Sequence, residues 1–228
     1  MVRIFKSYEN ENRFQEIKEI ERESWVMLTN PTMDELVHIS EDYQIDLDDL
    51  KSALDPEERS RLENEENYTM ILVNIPVVEE ENEKKWYETI PLGIFITRKI
   101  VFTVCLEETN ILKQFVDGLV PGFYTYMKTR FVYQILYNNA SLFLHYLRII
   151  DQRANQIEEL LHETSKNSDL IQLYDLEKCL VYFTTALKSN EVVLEKLRKH
   201  IGLRHYEEDQ ELLEDVIIEN KQAMEMTY

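Results

Sequence analysis

The first hundred residues carry short apolar runs separated by polar turns, which is the pattern of β-strands. The runs predicted as strands are Val2–Phe5, Gln15–Ile20, Trp25–Leu28, Tyr68–Val78, Tyr87–Ile96 and Ile100–Leu106. The link Thr97–Lys99 is short enough for a hairpin, and Glu79–Lys85 is predicted as a charged loop between two strands. This half of the chain is therefore expected to form a sheet.

Two helical segments interrupt the strands, and each is predicted from its capping residues. Thr32 and Glu35 follow Pro31 and form a capping box, in which the hydroxyl accepts a helix amide while the carboxylate reaches back. Asp55 precedes Pro56 at a first helical position, so a second helix is predicted to begin there.

From Gly122 onward the apolar residues recur every three or four positions, which predicts long amphipathic helices. One helix of about 35 residues, roughly 50 Å long, should run to a break at Asn167–Asp169. A second of similar length follows and should form an antiparallel hairpin with the first, closed by Gly202. A third begins near Glu207 and runs to Tyr228 without a terminating Gly or Pro, so we expect the natural protein to continue.

The composition excludes some functional classes. The 228 residues are 44% hydrophobic, enough for a substantial core, and the net charge of −19 argues against nucleic-acid binding. An acidic surface suits a protein that concentrates cations, and equally an ordinary soluble protein. Cys105 and Cys179 lie in apolar segments and are predicted to be buried thiols. We find no secretory signal and no apolar stretch of spanning length, so this polypeptide is expected to be soluble.

The usual catalytic signatures are absent from the sequence, and an enzyme is the weakest interpretation. His200 and His205 are close together, but Gly202 lies between them and a zinc site needs three or four convergent ligands. Acidic clusters are more numerous, and each could supply oxygen ligands to Mg²⁺ or Ca²⁺ or simply be solvated. They are Asp46 with Asp48 and Asp49, Glu57 with Glu58, Glu63 with Glu65 and Glu66, and Glu79 to Glu83.

The order of the motifs resembles that of the CorA magnesium transporters. The segment from Trp25 through Pro31 and Thr32 to Leu36 is similar to the Trp-strand-Pro-Thr-helix entry of that family. The run from Leu54 through Arg59, Arg61 and Glu63 to Tyr68 is similar to its Arg-x-[Arg/Lys]-Val-Glu-x-x-x-x-Tyr segment. The hairpin and the long helices follow in the family's order, so the resemblance covers nearly the whole chain.

The resemblance implies an α/β fold: an α/β/α sandwich with a mixed β-sheet, a long antiparallel helical hairpin and the start of a stalk helix. The expected division is a sheet domain at 1–121, the hairpin at 122–205 and the stalk at 206–228, leading to membrane helices that the sequence lacks. The implied role is assembly and gating of a Mg²⁺ transporter, as a homopentamer on the cytoplasmic face of the cell membrane. The alternatives are a zinc-transporting relative and a soluble oligomeric scaffold without a membrane part.

The resemblance also implies a regulatory Mg²⁺ site between subunits, and this sequence departs from it. Lys51 and Ser52 stand where the family carries a Glu-Asp pair. The partner acid on the stalk falls at Ile218, and a third acid falls near Tyr137. We therefore expect weak or relocated Mg²⁺ control. The candidate ligands for a displaced site are Asp48, Asp49, Asp215 and Glu219, and no other cofactor is expected.

Overall fold

A computed structural model describes residues 1–8, 13–81, 84–164, 167–199 and 207–228. The predicted pair His200 and His205, together with Gly202, lies outside the described residues. The strands are β1 Val2–Tyr8, β2 Arg13–Ile17, β3 Ser24–Thr29, β4 Arg61–Asn64, β5 Tyr68–Glu81, β6 Lys84–Thr97 and β7 Val101–Cys105. The helices are α1 Met33–Tyr43, α2 Leu47–Ser52, α3 Asn110–Val116, α4 Lys128–Thr164, α5 Asn167–Lys199 and α6 Glu207–Glu225.

The strands form one mixed sheet in the order β2-β1-β3-β7-β6-β5-β4. Only β3 and β7 pair in parallel, and the other described pairs are antiparallel. Side chains alternate between the faces of a strand, so Ile71 and Val73 of β5 enter one core while Met70 and Leu72 enter the other. This confirms the predicted mixed sheet with a core on each face.

Helices cover both faces and complete the α/β/α sandwich. The core on one face includes Leu36 of α1 and Leu50 of α2, while the core on the other includes Ile111 of α3 and residues of the long helices. The predicted hairpin is confirmed, because the Phe143 ring of α4 packs edge-on against Phe183 of α5 at 5.0 Å. Helix α4 has 37 residues and is thus about 55 Å long.

Local signals explain where several elements begin. Glu35 N donates to Thr32 Oγ1 at 3.2 Å and Thr32 N donates to Glu35 Oε2 at 2.8 Å, so the predicted capping box is confirmed. The predicted hairpin turn is confirmed by the 3.0 Å bond from Thr97 N to Ile100 O. Cys105 and Cys179 are buried free thiols, as predicted.

The predicted helix at Asp55 is wrong. Asp55 Oδ1 accepts from Glu57 N at 3.0 Å and Asp55 O accepts from Glu58 N at 3.0 Å, which makes a single turn. The chain must then become extended, because β4 begins at Arg61. The helix lies earlier, in α2, with Asp46 as its N-cap.

The predicted charged loop Glu79–Lys85 is also wrong in large part. Strand β5 continues to Glu81 and β6 begins at Lys84, with Glu80 opposite Lys85 in the ladder. Opposite charges facing each other across two strands stabilise the pairing, so a charged sequence can extend a hairpin.

A buried polar network joins β5 to the long helices at Asn74. Tyr68 O accepts from Glu65 N. Backbone groups alternate in direction along a strand, so the N–H and C=O of the even-numbered residues of β5 face the side of the sheet where β4 lies. The register places Arg61, the first residue of β4, opposite Leu72. The N–H and C=O of Asn74 therefore face an open edge of the sheet, beyond the start of β4. An open edge of this kind leaves backbone groups without partners unless side chains supply them.

Asparagines from α4 and α5 supply those partners. Asn190 Nδ2 donates to Asn74 O at 2.8 Å, and Asn139 Nδ2 donates to the same oxygen at 3.0 Å. Asn74 N donates to Asn190 Oδ1 at 2.9 Å, and Ser60 Oγ donates to that Oδ1 at 2.8 Å. The long helices are therefore attached to the sheet by directional bonds as well as by apolar packing.

Candidate functional site

The candidate site is built around α2, a six-residue helix whose first turn is acidic. Asp46 caps the helix by accepting from Asp48 N at 2.7 Å, so its carboxylate has a structural role. Leu50 is fully buried and fixes the helix on the sheet. Asp48 and Asp49 consequently project from a helix whose position is set by packing.

Tyr68 of β5 connects this helix to the sheet. Its hydroxyl donates to Asp49 Oδ2 at 2.6 Å and accepts from Asp46 N at 3.2 Å. Burial, followed by the hydrogen bond to Asp49, raises the pKa of the Tyr68 phenol. Tyr68 therefore stays protonated and holds Asp49 in one orientation.

Asp49 lies beside Glu63 and Glu65, and ligand oxygens of the three carboxylates lie within 4.8 Å of one another. This is the one group of three or more potential metal ligands among the residues that the structure describes. Asp49 and Glu63 are half-buried and Glu65 is exposed. Carboxylate oxygens are the ligands that Mg²⁺ prefers, usually together with water. Arg61 offsets part of the charge, since its Nε lies 2.8 Å from Glu63 Oε1.

The sequence grouped these acids by adjacency, and the structure groups them differently. Asp49 comes from α2, whereas Glu63 lies in β4 and Glu65 follows that strand in the turn toward β5. Asp48 points away into solvent and pairs with Lys51 at 3.1 Å. In the sequence, Glu63 and Glu65 form only an acidic run, and the pairing of β4 with β5 is what brings them to Asp49.

Lys51 and Ser52 lie at the end of α2, where the resemblance leads us to expect a Glu-Asp pair. The Lys51 ammonium donates to Asp48 Oδ1 at 3.1 Å, so α2 carries a cation beside its acidic first turn. Ser52 is buried and its hydroxyl donates to Asp49 O at 2.7 Å. A carboxylate in place of Ser52 would thus lie in a buried position and lose this bond to the Asp49 carbonyl.

The candidates Asp215 and Glu219 lie on α6, far from this cluster. Helix α6 packs on α4 and α5, and its buried residue Leu213 belongs to the core on the sheet face opposite to α2. Asp215 is exposed, Glu219 is half-buried and Ile218 between them is 59% exposed. One chain therefore does not bring the α6 acids together with Asp48 and Asp49.

No helix in the described ranges has the length and apolarity required to span a bilayer.

The comparisons with known proteins agree with this architecture. A family model described as CorA-like Mg²⁺ transporter protein matches residues 21–228. The cobalt/magnesium transport protein CorA of Methanocaldococcus jannaschii is 26% identical over 212 residues, covering 89% of this chain and 64% of that protein. The chain thus spans less than two thirds of this curated relative.

Solved structures share the fold. The complete CorA of the same archaeon matches with a TM-score of 0.86 at 21% identity, covering 100% of this chain and 72% of that one. Its soluble domain matches with a TM-score of 0.85 at 24% identity, covering 100% and 90%. The ZntB cytoplasmic domain from Vibrio parahaemolyticus matches with a TM-score of 0.70 at 10% identity, covering 99% and 92%.

Proposed function

Because this chain belongs to the family of CorA-like Mg²⁺ transporter proteins, we propose that it is the cytoplasmic part of a divalent-cation transporter and acts in the assembly and gating of a pore. The family is one of transporters and not of enzymes. The observation that carries the proposal is the family match over residues 21–228. The M. jannaschii relative, named as a transporter of cobalt and magnesium, supports it.

The proposed ion is Mg²⁺, with zinc as the alternative. Magnesium is the ion in the family description and in the name of the curated relative. The zinc alternative rests on the fold shared with ZntB, which at 10% identity carries no information on the ion. The described domain contains carboxylates, the ligands of a hard cation, at the site built around α2.

In this proposal α6 is the start of a stalk that continues into membrane helices, and the protein works as an oligomer of identical subunits. The division into a sheet domain, a hairpin and a stalk remains part of the proposal. Because α2 and α6 lie on opposite sheet faces, a metal site that used both Asp49 and Glu219 would need two copies of the chain. With Lys51 in α2, we propose that Mg²⁺ control at such a site is weak or displaced toward Asp49.

The test is transport by the protein of the whole reading frame. Expressed in a bacterial strain that lacks its own magnesium uptake systems, it should restore growth at low Mg²⁺ and take up Mg²⁺ faster than Zn²⁺. Zinc uptake without magnesium uptake would favour the alternative. A reading frame that ends at Tyr228, or a full-length protein that moves neither ion, would refute the transporter proposal and leave the scaffold interpretation.

A further inference from the structure

The backbone of Asn74 in β5 is hydrogen-bonded by side chains from two different helices. Asn190 of α5 makes two bonds, since its Oδ1 accepts from Asn74 N at 2.9 Å and its Nδ2 donates to Asn74 O at 2.8 Å. Asn139 of α4 makes one bond, from its Nδ2 to Asn74 O at 3.0 Å. Both side chains are 3% exposed. Two helices therefore hold the same backbone groups, but α5 holds them by one bond more than α4.

Asn139 is left with an unpaired acceptor. Its Oδ1 is buried and has no hydrogen-bond partner in the part of the chain that the structure describes. The orientation of the carboxamide is fixed, because Asn74 O can only accept, so Nδ2 and not Oδ1 must face it. A buried acceptor without a donor destabilises the arrangement that contains it. An arrangement that gave Asn139 Oδ1 a donor would therefore gain a hydrogen bond that the described one lacks.

The N–H of Asn74 can be that donor. The Asn190 carboxamide shows that one side chain reaches the N–H and the C=O of Asn74 together, and Asn139 already binds the C=O. If Asn139 Oδ1 took the N–H, Asn190 Oδ1 would still accept from Ser60 Oγ, which lies 2.8 Å away. The exchange consequently pairs the orphaned acceptor and creates no new one.

We propose that the backbone of Asn74 has two alternative holders: Asn190 of α5, as in the described arrangement, and Asn139 of α4 in a second arrangement of the same chain. The second arrangement has one more hydrogen bond. The first keeps the packing of α4, in which the Phe143 ring lies 5.0 Å from that of Phe183. Because these two contributions oppose each other, the arrangements are close in free energy and both are populated.

The holder of Asn74 determines how the sheet is connected to α6. Leu187 lies one turn before Asn190 on α5, and its carbonyl accepts from Asn220 Nδ2 of α6 at 3.2 Å. In the described arrangement, directional bonds therefore run from β5 through α5 to α6, whereas in the second the N–H of Asn74 is held by α4. The consequence rests on the proposed function: where α6 is the start of a stalk, the exchange changes how firmly the sheet holds that stalk.

Relaxation-dispersion NMR on the 228-residue chain tests the exchange. The backbone amide of Asn74 should show exchange on the microsecond-to-millisecond timescale, because its acceptor alternates between two side chains. Asn139→Ala leaves only Asn190 as the holder and Asn190→Ala leaves only Asn139, so each variant should abolish the exchange. The Asn74 amide signal of the native chain should lie between the signals of the two variants.

Asn138→Ala is the matched control, at the neighbouring residue of α4. The Asn138 side chain lines a groove between α3 and α4, so its removal should leave the exchange of Asn74 unchanged. Asn139→Ala retains both bonds from Asn190, so it decides the matter even if Asn190→Ala fails to fold. A native chain without exchange at Asn74, or exchange that persists in Asn139→Ala, would overturn the proposal.

Transport by the protein of the whole reading frame tests the consequence for α6. Asn139→Ala and Asn190→Ala leave Asn74 held by opposite helices, so they should change the rate of Mg²⁺ uptake in opposite directions, each by about twofold or more. Equal rates in the native protein and both variants would refute the consequence for α6, while the NMR result still decides the exchange. A native protein that moves no ion would instead refute the proposed function.

Discussion

Asparagine side chains, rather than a further strand, satisfy the backbone of β5 at Asn74, beyond the start of β4. Asn190 accepts from Asn74 N and donates to Asn74 O, so one side chain replaces the pair of bonds that a neighbouring strand would make. It is 3% exposed, and water has little access to take its place. A buried polar group left without a partner costs about 1–3 kcal/mol.

Asn190→Ala should therefore lower the free energy of unfolding by about 2 kcal/mol in urea denaturation. The control is Asn155→Ala on the exposed face of α4, which makes the same change in helix propensity. The Asn155 side chain lies 3.5 Å from Asp151 and is exposed. That variant should change stability by no more than about 0.5 kcal/mol. Equal effects of the two substitutions would show that the network does not stabilise the fold.

The raised pKa of Tyr68 predicts a loss of stability at alkaline pH. Burial and Asp49 raise its pKa in the folded chain, whereas in the unfolded chain a tyrosine ionises near pH 10. The folded state retains its proton longer, so unfolding releases a proton above about pH 10. Stability then falls with rising pH, by up to about 1.4 kcal/mol per unit for this group.

Tyr68→Phe should reduce the slope of stability against pH between about pH 10 and 11, measured by urea denaturation. At neutral pH it should lower the free energy of unfolding by about 1 kcal/mol, because the hydrogen bond to Asp49 is lost. Tyr133, whose pKa is also raised by burial, should preserve part of the slope. Tyr174→Phe, at a residue 66% exposed, is the control for the loss of a tyrosine hydroxyl and should change stability at neutral pH by no more than about 0.5 kcal/mol.

At the scale of elements, the sequence predicted those whose pattern repeats many times. Helices α4 and α5 repeat an apolar stripe over 37 and 33 residues, so their existence did not depend on one residue. Helix α3 has seven residues, fewer than two periods of the stripe, and was missed although Thr109 caps it. Asp55 followed by Pro56 is a signal for the start of a helix and also for a turn. The turn forms here because the chain must be extended by Arg61, where β4 begins.

The candidate site was predicted in part for a similar reason. Asp49 was identified because it lies in a dense acidic run, but its neighbours Glu63 and Glu65 reach it through the register of β4 on β5. Register depends on which faces are buried in the finished sheet. A single sequence therefore does not show how close Glu63 and Glu65 lie to Asp49.

Helix α2 leads to a prediction on metal binding. Lys51→Glu should release Asp48 and replace a cation by an anion, so millimolar Mg²⁺ should raise the melting temperature of the variant and have little effect on the native chain. A free-ion concentration about fivefold above the dissociation constant adds about 1 kcal/mol of stability. Ser52→Asp is a poor companion because Ser52 is buried.

Lys18→Glu makes the same charge change away from α2 and is the control for a general response to Mg²⁺. Strong Mg²⁺ binding by the native chain that disappears in Asp49→Ala would contradict the prediction. It would place the ion at Asp49, Glu63 and Glu65 instead.

At the scale of the whole molecule, the sheet separates the acids of α2 from those of α6. The site built around α2 lies on one face, while the exposed acids of α6 lie beyond the opposite core. A net charge of −19 repels neighbouring copies at low salt, and screening beyond about 10 Å at 0.1 M reduces that repulsion. Association of identical copies should accordingly be weak at low salt and strengthen as salt is added.

The parallel pairing of β3 with β7 also determines when the centre of the sheet can form. Trp25 of β3 donates its indole N–H to Thr103 of β7 at 2.9 Å, across 78 residues of chain. A β-contact of such long range forms late, because the intervening loop must be closed before it contributes. During synthesis, the N-terminal strands consequently remain without their central neighbour until β7 has left the ribosome. In a Trp86→Phe chain, the fluorescence of Trp25 should reach its native value only in the slowest refolding phase, which makes this indole a built-in reporter of sheet closure.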